Sequence, residues 1–241
     1  MPNTLLIGKD LPSCLEMAEA LSASGRKVFT PAKSSTELTK FESENIFACT
    51  WNKSSAVSTH AMLINAETTL QNIDEVIFYF DSNYFCTQFE TDRTEEISAG
   101  TDTMFTSFLF ASNELIKRMD QKQGKILVSF FVKEYPSKAE IAASKTAGTV
   151  PAASIISAAQ AGFASIAEDF ASLTESRSFL SVLLAKCPYS NELYKSEKLL
   201  ADWLASSMDS IHNAKNHQNV KQALCWNKAG SKVQTGFSLF K

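Results

Sequence analysis

The 241-residue chain reads as an α/β domain, a doubly wound parallel sheet of about seven strands with helices on both faces. Three observations predict this. Short runs rich in β-branched and aromatic residues alternate with longer helical stretches. The runs are continuously apolar, as parallel strands covered on both faces are, where half-exposed strands would alternate. The length suits one full core, and no Pro/Gly-rich linker divides the chain, so residues 1–241 form a single predicted domain.

The elements follow in order. Leu5-Leu6-Ile7 is the first strand. Pro12 to Ser24 reads as the first helix, because proline suits a first turn, Gly25 suits a stop, and Leu15, Ala18 and Leu21 fall on one face. Lys27-Val28-Phe29 is the second strand, and the polar stretch Pro31 to Asn45 is a loop or a short surface helix. Ile46 to Cys49, Val76 to Phe80, Ile126 to Phe131 and Phe179 to Leu184 supply further strands, with a helix from Ser55 to about Gln71. Glu95 to Met119 is a long helix whose Met104, Phe105, Phe108, Leu109, Phe110, Leu115 and Ile116 cover more than one side. Pro151 to Leu173 is similarly apolar, but in alanine, serine and Gly162. Lys133 to Thr149 joins the fifth strand to it. A helix apolar most of the way round needs a second surface beyond the sheet.

Composition excludes several classes. An apolar fraction of 44% with 20% charged residues is that of a folded globular chain. The net charge of -3, from 23 basic and 26 acidic residues, supplies no field for nucleic acid or an anionic membrane. Cys14, Cys49, Cys86, Cys187 and Cys225 show no CxxC and no metal-ligand spacing, so a metal site is not expected and the thiols suit a reducing cytoplasm. No apolar run approaches a membrane span and no basic leader opens the sequence, so the expected location is cytoplasmic.

The order of elements resembles the short-chain dehydrogenase/reductase family across nearly the whole chain. Pro151 to Glu168, with its Gly162-Phe163 step, is similar to that family's active-site helix. Gly124 to Ser129 resembles the opening of its fifth strand, Cys187-Pro188 the end of its sixth, Leu199 to Met208 its last helix and Gln222 to Gly230 its terminal strand. The resemblance implies an NAD(P)-binding Rossmann-like fold.

The motifs that carry the family's chemistry depart from its pattern. The phosphate-cradling turn T-G-x-x-x-G-x-G is matched by Ile7-Gly8-Lys9-Asp10-Leu11-Pro12-Ser13-Cys14, where only Gly8 remains and Pro12 removes an amide donor. A carboxylate of Asp10 about 5 Å from a phosphate would be repelled by roughly 3 kcal/mol at an effective dielectric of about 20, which Lys9 could partly offset. After the second strand no acid awaits a ribose hydroxyl. Lys33 with Ser34 and Ser35 could instead hold a 2′-phosphate, which makes NADP the cofactor if any binds. The small residues that end the family's fourth strand are replaced by Phe78-Tyr79-Phe80-Asp81, either core packing or an aromatic floor for a flatter ligand.

Anchored on Gly162-Phe163, the resemblance puts Ala153 at the family's catalytic tyrosine, Ser157 at its lysine, Phe130 or Phe131 at its serine and Met104 near its asparagine. None transfers a proton. Relocated candidates are Tyr135 with Lys138 in the loop after the fifth strand, and Lys145 as another cation. The positions to inspect for a cofactor are Gly8, Lys9, Asp10, Lys33 and Asp81.

These departures predict a dehydrogenase-like protein that has lost dinucleotide binding and carbonyl reduction, has no catalytic residues and no cofactor, and serves as a binding or scaffolding subunit. The alternative is an active NAD(P)-dependent oxidoreductase with relocated catalytic residues. A third is unrelated chemistry in the same crevice. The family's fourth and fifth helices pack against a second subunit, so a homodimer or homotetramer through residues 95–119 and 151–173 is expected, with Phe105, Phe108 and Phe110 supplying contact area.

Overall fold

Seven strands form the sheet: β1 (Asn3–Ile7), β2 (Lys27–Ala32), β3 (Ile46–Thr50), β4 (Glu75–Asp81), β5 (Ile126–Lys133), β6 (Leu180–Cys187) and the two-residue β7 (Asn227–Lys228). They are seen in a computed structural model that describes residues 1–39, 43–89, 94–119, 125–137, 140, 153–213 and 225–233. The order is β3-β2-β1-β4-β5-β6-β7, and every neighbouring pair is parallel. The expected doubly wound class is therefore observed.

The helices are α1 (Leu15–Ala23), α2 (Ser35–Thr39), α3 (Ala56–Leu70), α4 (Ser82–Cys86), α5 (Thr94–Thr101), α6 (Ser107–Met119), α7 (Ala153–Thr174) and α8 (Glu197–His212). They divide between the two faces of the sheet. Met62 and Leu63 of α3, Phe108 and Leu115 of α6, and Phe163 and Phe170 of α7 share one apolar cluster with Phe78, Phe80 and Phe130. Met17 and Leu21 of α1 and Leu200, Leu204 and Met208 of α8 share the other with Ile77, Tyr79 and Phe131. The split follows from the two-residue period of a strand: β4 is buried along its whole length and sends alternate side chains to opposite faces.

Two boundaries differ from the sequence expectation, and one open alternative is decided. The first helix begins at Leu15, not Pro12, because the preceding residues run beside β2: Leu11 N–H donates to Pro31 O at 2.9 Å and Lys33 N–H to Leu11 O at 3.2 Å. The polar stretch after residue 31 contains the short helix α2. The long helix expected over 95–119 is two helices joined by the π-helical segment Asp102–Thr106.

A π turn carries an extra residue and so rotates everything after it about the axis. Phe108 points into the sheet and is buried, which corrects the expectation that it offers contact area to a second subunit. Phe105 turns the Cδ2–Cε2 edge of its ring to Gly162 of α7, where an added Cβ would meet both atoms at 2.7 Å. The alanine-rich helix is described from Ala153, and most of the loop before it, with Lys138 and Lys145, lies outside the described residues.

Candidate functional site

In a doubly wound sheet the crevice for ligands opens at the carboxyl ends of the strands where the order reverses. Here the reversal lies between β1 and β4, and Gly8 and Asp81 flank it. Gly8 has φ +154° and sits hard against β4, so that a Cβ would come within 2.0 Å of the Tyr79 carbonyl oxygen. That close approach explains the glycine without a ligand.

Lys9 crosses the crevice. Its ammonium donates to Asp81 Oδ2 at 3.1 Å and to Glu197 Oε1, the latter from the first turn of α8, and its side chain is 4% exposed. Asp81 collects further partners. Lys133 Nζ lies 3.6 Å from Oδ2 and the Tyr79 hydroxyl donates to it at 3.3 Å. Its other oxygen accepts the backbone N–H groups of Asn83 and Tyr84, capping α4. Beside it, Lys53 donates to Gly8 O at 2.9 Å and pairs with Asp10 Oδ2 at 3.0 Å. Three ammonium groups, Lys9, Lys53 and Lys133, thus face three carboxylates, Asp10, Asp81 and Glu197.

Aromatic rings stand beside the ammonium groups. The Lys9 ammonium lies 5.2 Å from the Tyr79 ring and 5.9 Å from that of Tyr84, and Lys133 lies 4.9 Å from Tyr194. Tyr194 belongs to the 3-10 turn Glu192–Lys195, which leads from β6 over the strand ends into α8, and its hydroxyl donates to Glu134 O at 3.0 Å.

Burial sets the protonation chemistry. It lowers the Lys9 ammonium below its ordinary value despite the Asp81 charge and hydrogen bond. It pushes the Tyr84 phenol up to about 12 and drives Tyr79 and Tyr194 upward too. A phenol that works as a proton carrier near neutrality needs its pKa lowered. In this crevice the shift is the opposite.

The turn after β1 has also committed three of its amides. Leu11 N–H donates to Pro31 O, Cys14 N–H to Asp10 O and Leu15 N–H to Pro12 O, while Pro12 has none to give. Amides aimed at a phosphate are what a helix N-terminus offers a dinucleotide.

No family model matches this sequence, and no curated protein matches it. Solved structures do match in shape. A short chain dehydrogenase from Mycobacterium smegmatis aligns with a TM-score of 0.64 at 13% identity, over 97% of this chain and 93% of that one. A 3-ketoacyl-(acyl-carrier-protein) reductase from Brucella melitensis, complexed with NADH, gives 0.62 at 10% identity, over 96% and 98%. A short chain dehydrogenase from Burkholderia cenocepacia J2315 in complex with NADP gives 0.60 at 11%, over 94% and 95%. The chain has the short-chain dehydrogenase/reductase fold.

Within this dehydrogenase fold, the residues singled out from sequence have these places. Gly8, Lys9, Asp10 and Asp81 meet at the crevice, but Lys9 neutralises Asp81 and Glu197 while Asp10 is held by Lys53. Lys33 stays exposed after β2. Phe78 and Phe80 pack in the core, Phe78 stacked on Phe130 at 4.8 Å, which settles that strand end as packing. Phe131 stacks on Tyr79 at 5.4 Å and Met104 is buried. Tyr135 stands after β5, its N–H held by Gln160 Oε1 of α7 at 2.7 Å, and burial raises its phenol. Lys138 lies outside the described residues, so the pair is not placed.

Sequence reasoning missed Lys53, Lys133, Tyr84, Tyr194 and Glu197. A lysine ending the apolar run from Ile126 was a usable signal for Lys133. Nothing local marks Glu197, which lies 188 positions from its partner Lys9. Among the described residues no group of three or more His, Cys, Asp or Glu is placed to hold a metal, and no helix is long and apolar enough to cross a membrane.

Proposed function

We propose that this chain is a dehydrogenase-fold protein that binds no dinucleotide and reduces no carbonyl, and that it works as a non-catalytic binding or scaffolding subunit. One observation carries the reading: Lys9 is buried between Asp81 and Glu197 where the pyrophosphate crevice of this fold opens. Gly8 against Tyr79, the committed amides of the following turn and the rings of Tyr84 and Tyr194 leave residues that do not fit a dinucleotide. A pyrophosphate there would displace Asp81 and Glu197 from Lys9 and face the remaining carboxylate, Asp10. Cytoplasmic residence agrees with five free thiols.

Melting curves with NADPH and NADH test this. Ligand at a hundred times its dissociation constant adds about 2.7 kcal/mol, a shift of roughly 5–10 °C for a domain of this size. No shift at millimolar coenzyme is expected, and a saturable shift with either overturns the reading.

The second reading, an active NAD(P)-dependent oxidoreductase, draws on neighbours solved with NADH and NADP and on Tyr135 standing beside α7. It requires coenzyme-dependent turnover that Tyr135→Phe abolishes. NADP is then the cofactor. We further propose self-association as a homodimer or homotetramer through residues 95–119 and 151–173. Leu109, Ser157, Ala158, Ala161 and Leu173 are exposed on these helices, and small side chains permit close approach. Light scattering at micromolar concentration should give a mass above the monomer's.

A further inference from the structure

Of the three carboxylates in the crevice, Asp81 ends β4 and Asp10 sits in the turn after β1, held by Lys53, whereas Glu197 arrives on the segment that follows β6. We propose that the Glu197 carboxylate is a removable internal counterion, and that the crevice takes a small oxyanion, the carboxylate or phosphate group of a ligand, against Lys9 when residues 188–197 lift. The proposal rests on the functional reading above in one respect, that the resting crevice is closed to dinucleotide.

Charge balance leads to it. With Glu197 withdrawn, Lys9, Lys53 and Lys133 face only Asp10 and Asp81, and Asp81 is already shared with Lys133, the Tyr79 hydroxyl and two backbone amides. A nearly buried ammonium then lacks half of its compensation, and an oxyanion in the vacated position restores neutrality.

The closed arrangement is also incompletely satisfied. Glu197 Oε2 and Asp10 Oδ1 are buried and accept no hydrogen bond from the described residues. A partly satisfied buried polar network opposes its own closure. Among the described residues the segment pairs with no strand; it is held by hydrogen bonds from Tyr194 to Glu134 O and from Asn191 Nδ2 to Ala229 O at 2.8 Å, by bonding of Ser190 with Glu140, and by the buried Tyr194 ring under Lys133, which must come out with it.

The test compares the full chain, Glu197→Ala and Glu197→Gln by thermal melting in sodium phosphate, sodium acetate and sodium chloride at matched ionic strength. Closure reduces apparent affinity by the fraction of molecules that are open, so both variants should be stabilised saturably at phosphate or acetate concentrations at least about tenfold below those the full chain needs. Either variant suffices if the other does not fold. A stronger response to phosphate than to acetate assigns a phosphate-bearing ligand, the reverse a carboxylate. The double change Lys9→Gln with Glu197→Gln, which keeps the pair neutral, should erase the response. Equal responses in wild type and variants, or an undiminished response in the double variant, overturn the proposal. A melting shift of the unaltered chain with NADPH would instead sink the functional reading, so the two failures are distinct.

Discussion

Arg26 and Glu75 form a two-point ion pair at the amino-terminal edge of the sheet: Nε donates to Oε2 at 2.8 Å and Nη2 to Oε1 at 3.2 Å, with side chains 1% and 0% exposed. Asp209 of α8 accepts from the same guanidinium at 2.6 Å, and Thr4 donates to Glu75 Oε2 at 2.7 Å. The pair therefore pins β2, β4, β1 and α8 together. Removing one partner of a buried pair leaves the other uncompensated, which costs about 3–5 kcal/mol. Glu75→Gln should lower the unfolding free energy by that amount, seen as a lower denaturant midpoint at unchanged slope.

The same carboxylate makes stability depend on acid. Burial opposes ionisation of Glu75, but hydrogen bonds from His212, Arg26 and Thr4, with the Arg26 charge, hold it below its ordinary 4.5. A depressed folded value contributes stability that is present above the unfolded value and lost as pH falls through the folded one. Melting temperature should therefore drop below about pH 4.5, and Glu75→Gln, already weakened at neutrality, should show a shallower drop.

Gly8→Ala should be destabilising by about 2–4 kcal/mol, because the added methyl meets backbone that cannot move aside and the positive φ suits no other residue. Gly25→Ala serves as a control. Its φ is also positive but the space around it is open, so it should cost clearly less in a parallel urea titration.

Phe163 on α7 is fully buried and touches the rings of Phe80, Phe108 and Phe130. Phe163→Ala should cost about 3–5 kcal/mol, with Phe163→Leu costing less because it leaves a smaller cavity. Calorimetric melts of both variants check the ranking.

Lys9→Met would strip Glu197 and Asp81 of their shared cation. A loss of about 3–5 kcal/mol is expected in equilibrium unfolding, and Glu197→Gln added to it should recover part of that loss by removing the stranded charge.

The sheet was legible in the sequence because burial on both faces demands long apolar runs, and β4 and β5 supply them from Val76 to Phe80 and from Ile126 to Phe131, the latter interrupted only by the small Ser129. The crevice was legible in outline: Pro12 and Cys14 in place of glycines announced a changed turn after Gly8. Its ionic closure was not, since Lys53 and Glu197 reach Asp10 and Lys9 only through the topology. The inward place of Phe108 was not legible either, because a helix apolar on more than one side does not say which of its rings faces the sheet.

The two apolar clusters share no residue, for the sheet stands between them. Disturbances at sites without common neighbours add rather than couple. The molecule is in this sense a pair of rooms with one wall: α3, α6 and α7 can be redesigned for self-recognition while the furniture around α1 and α8 stays as it is.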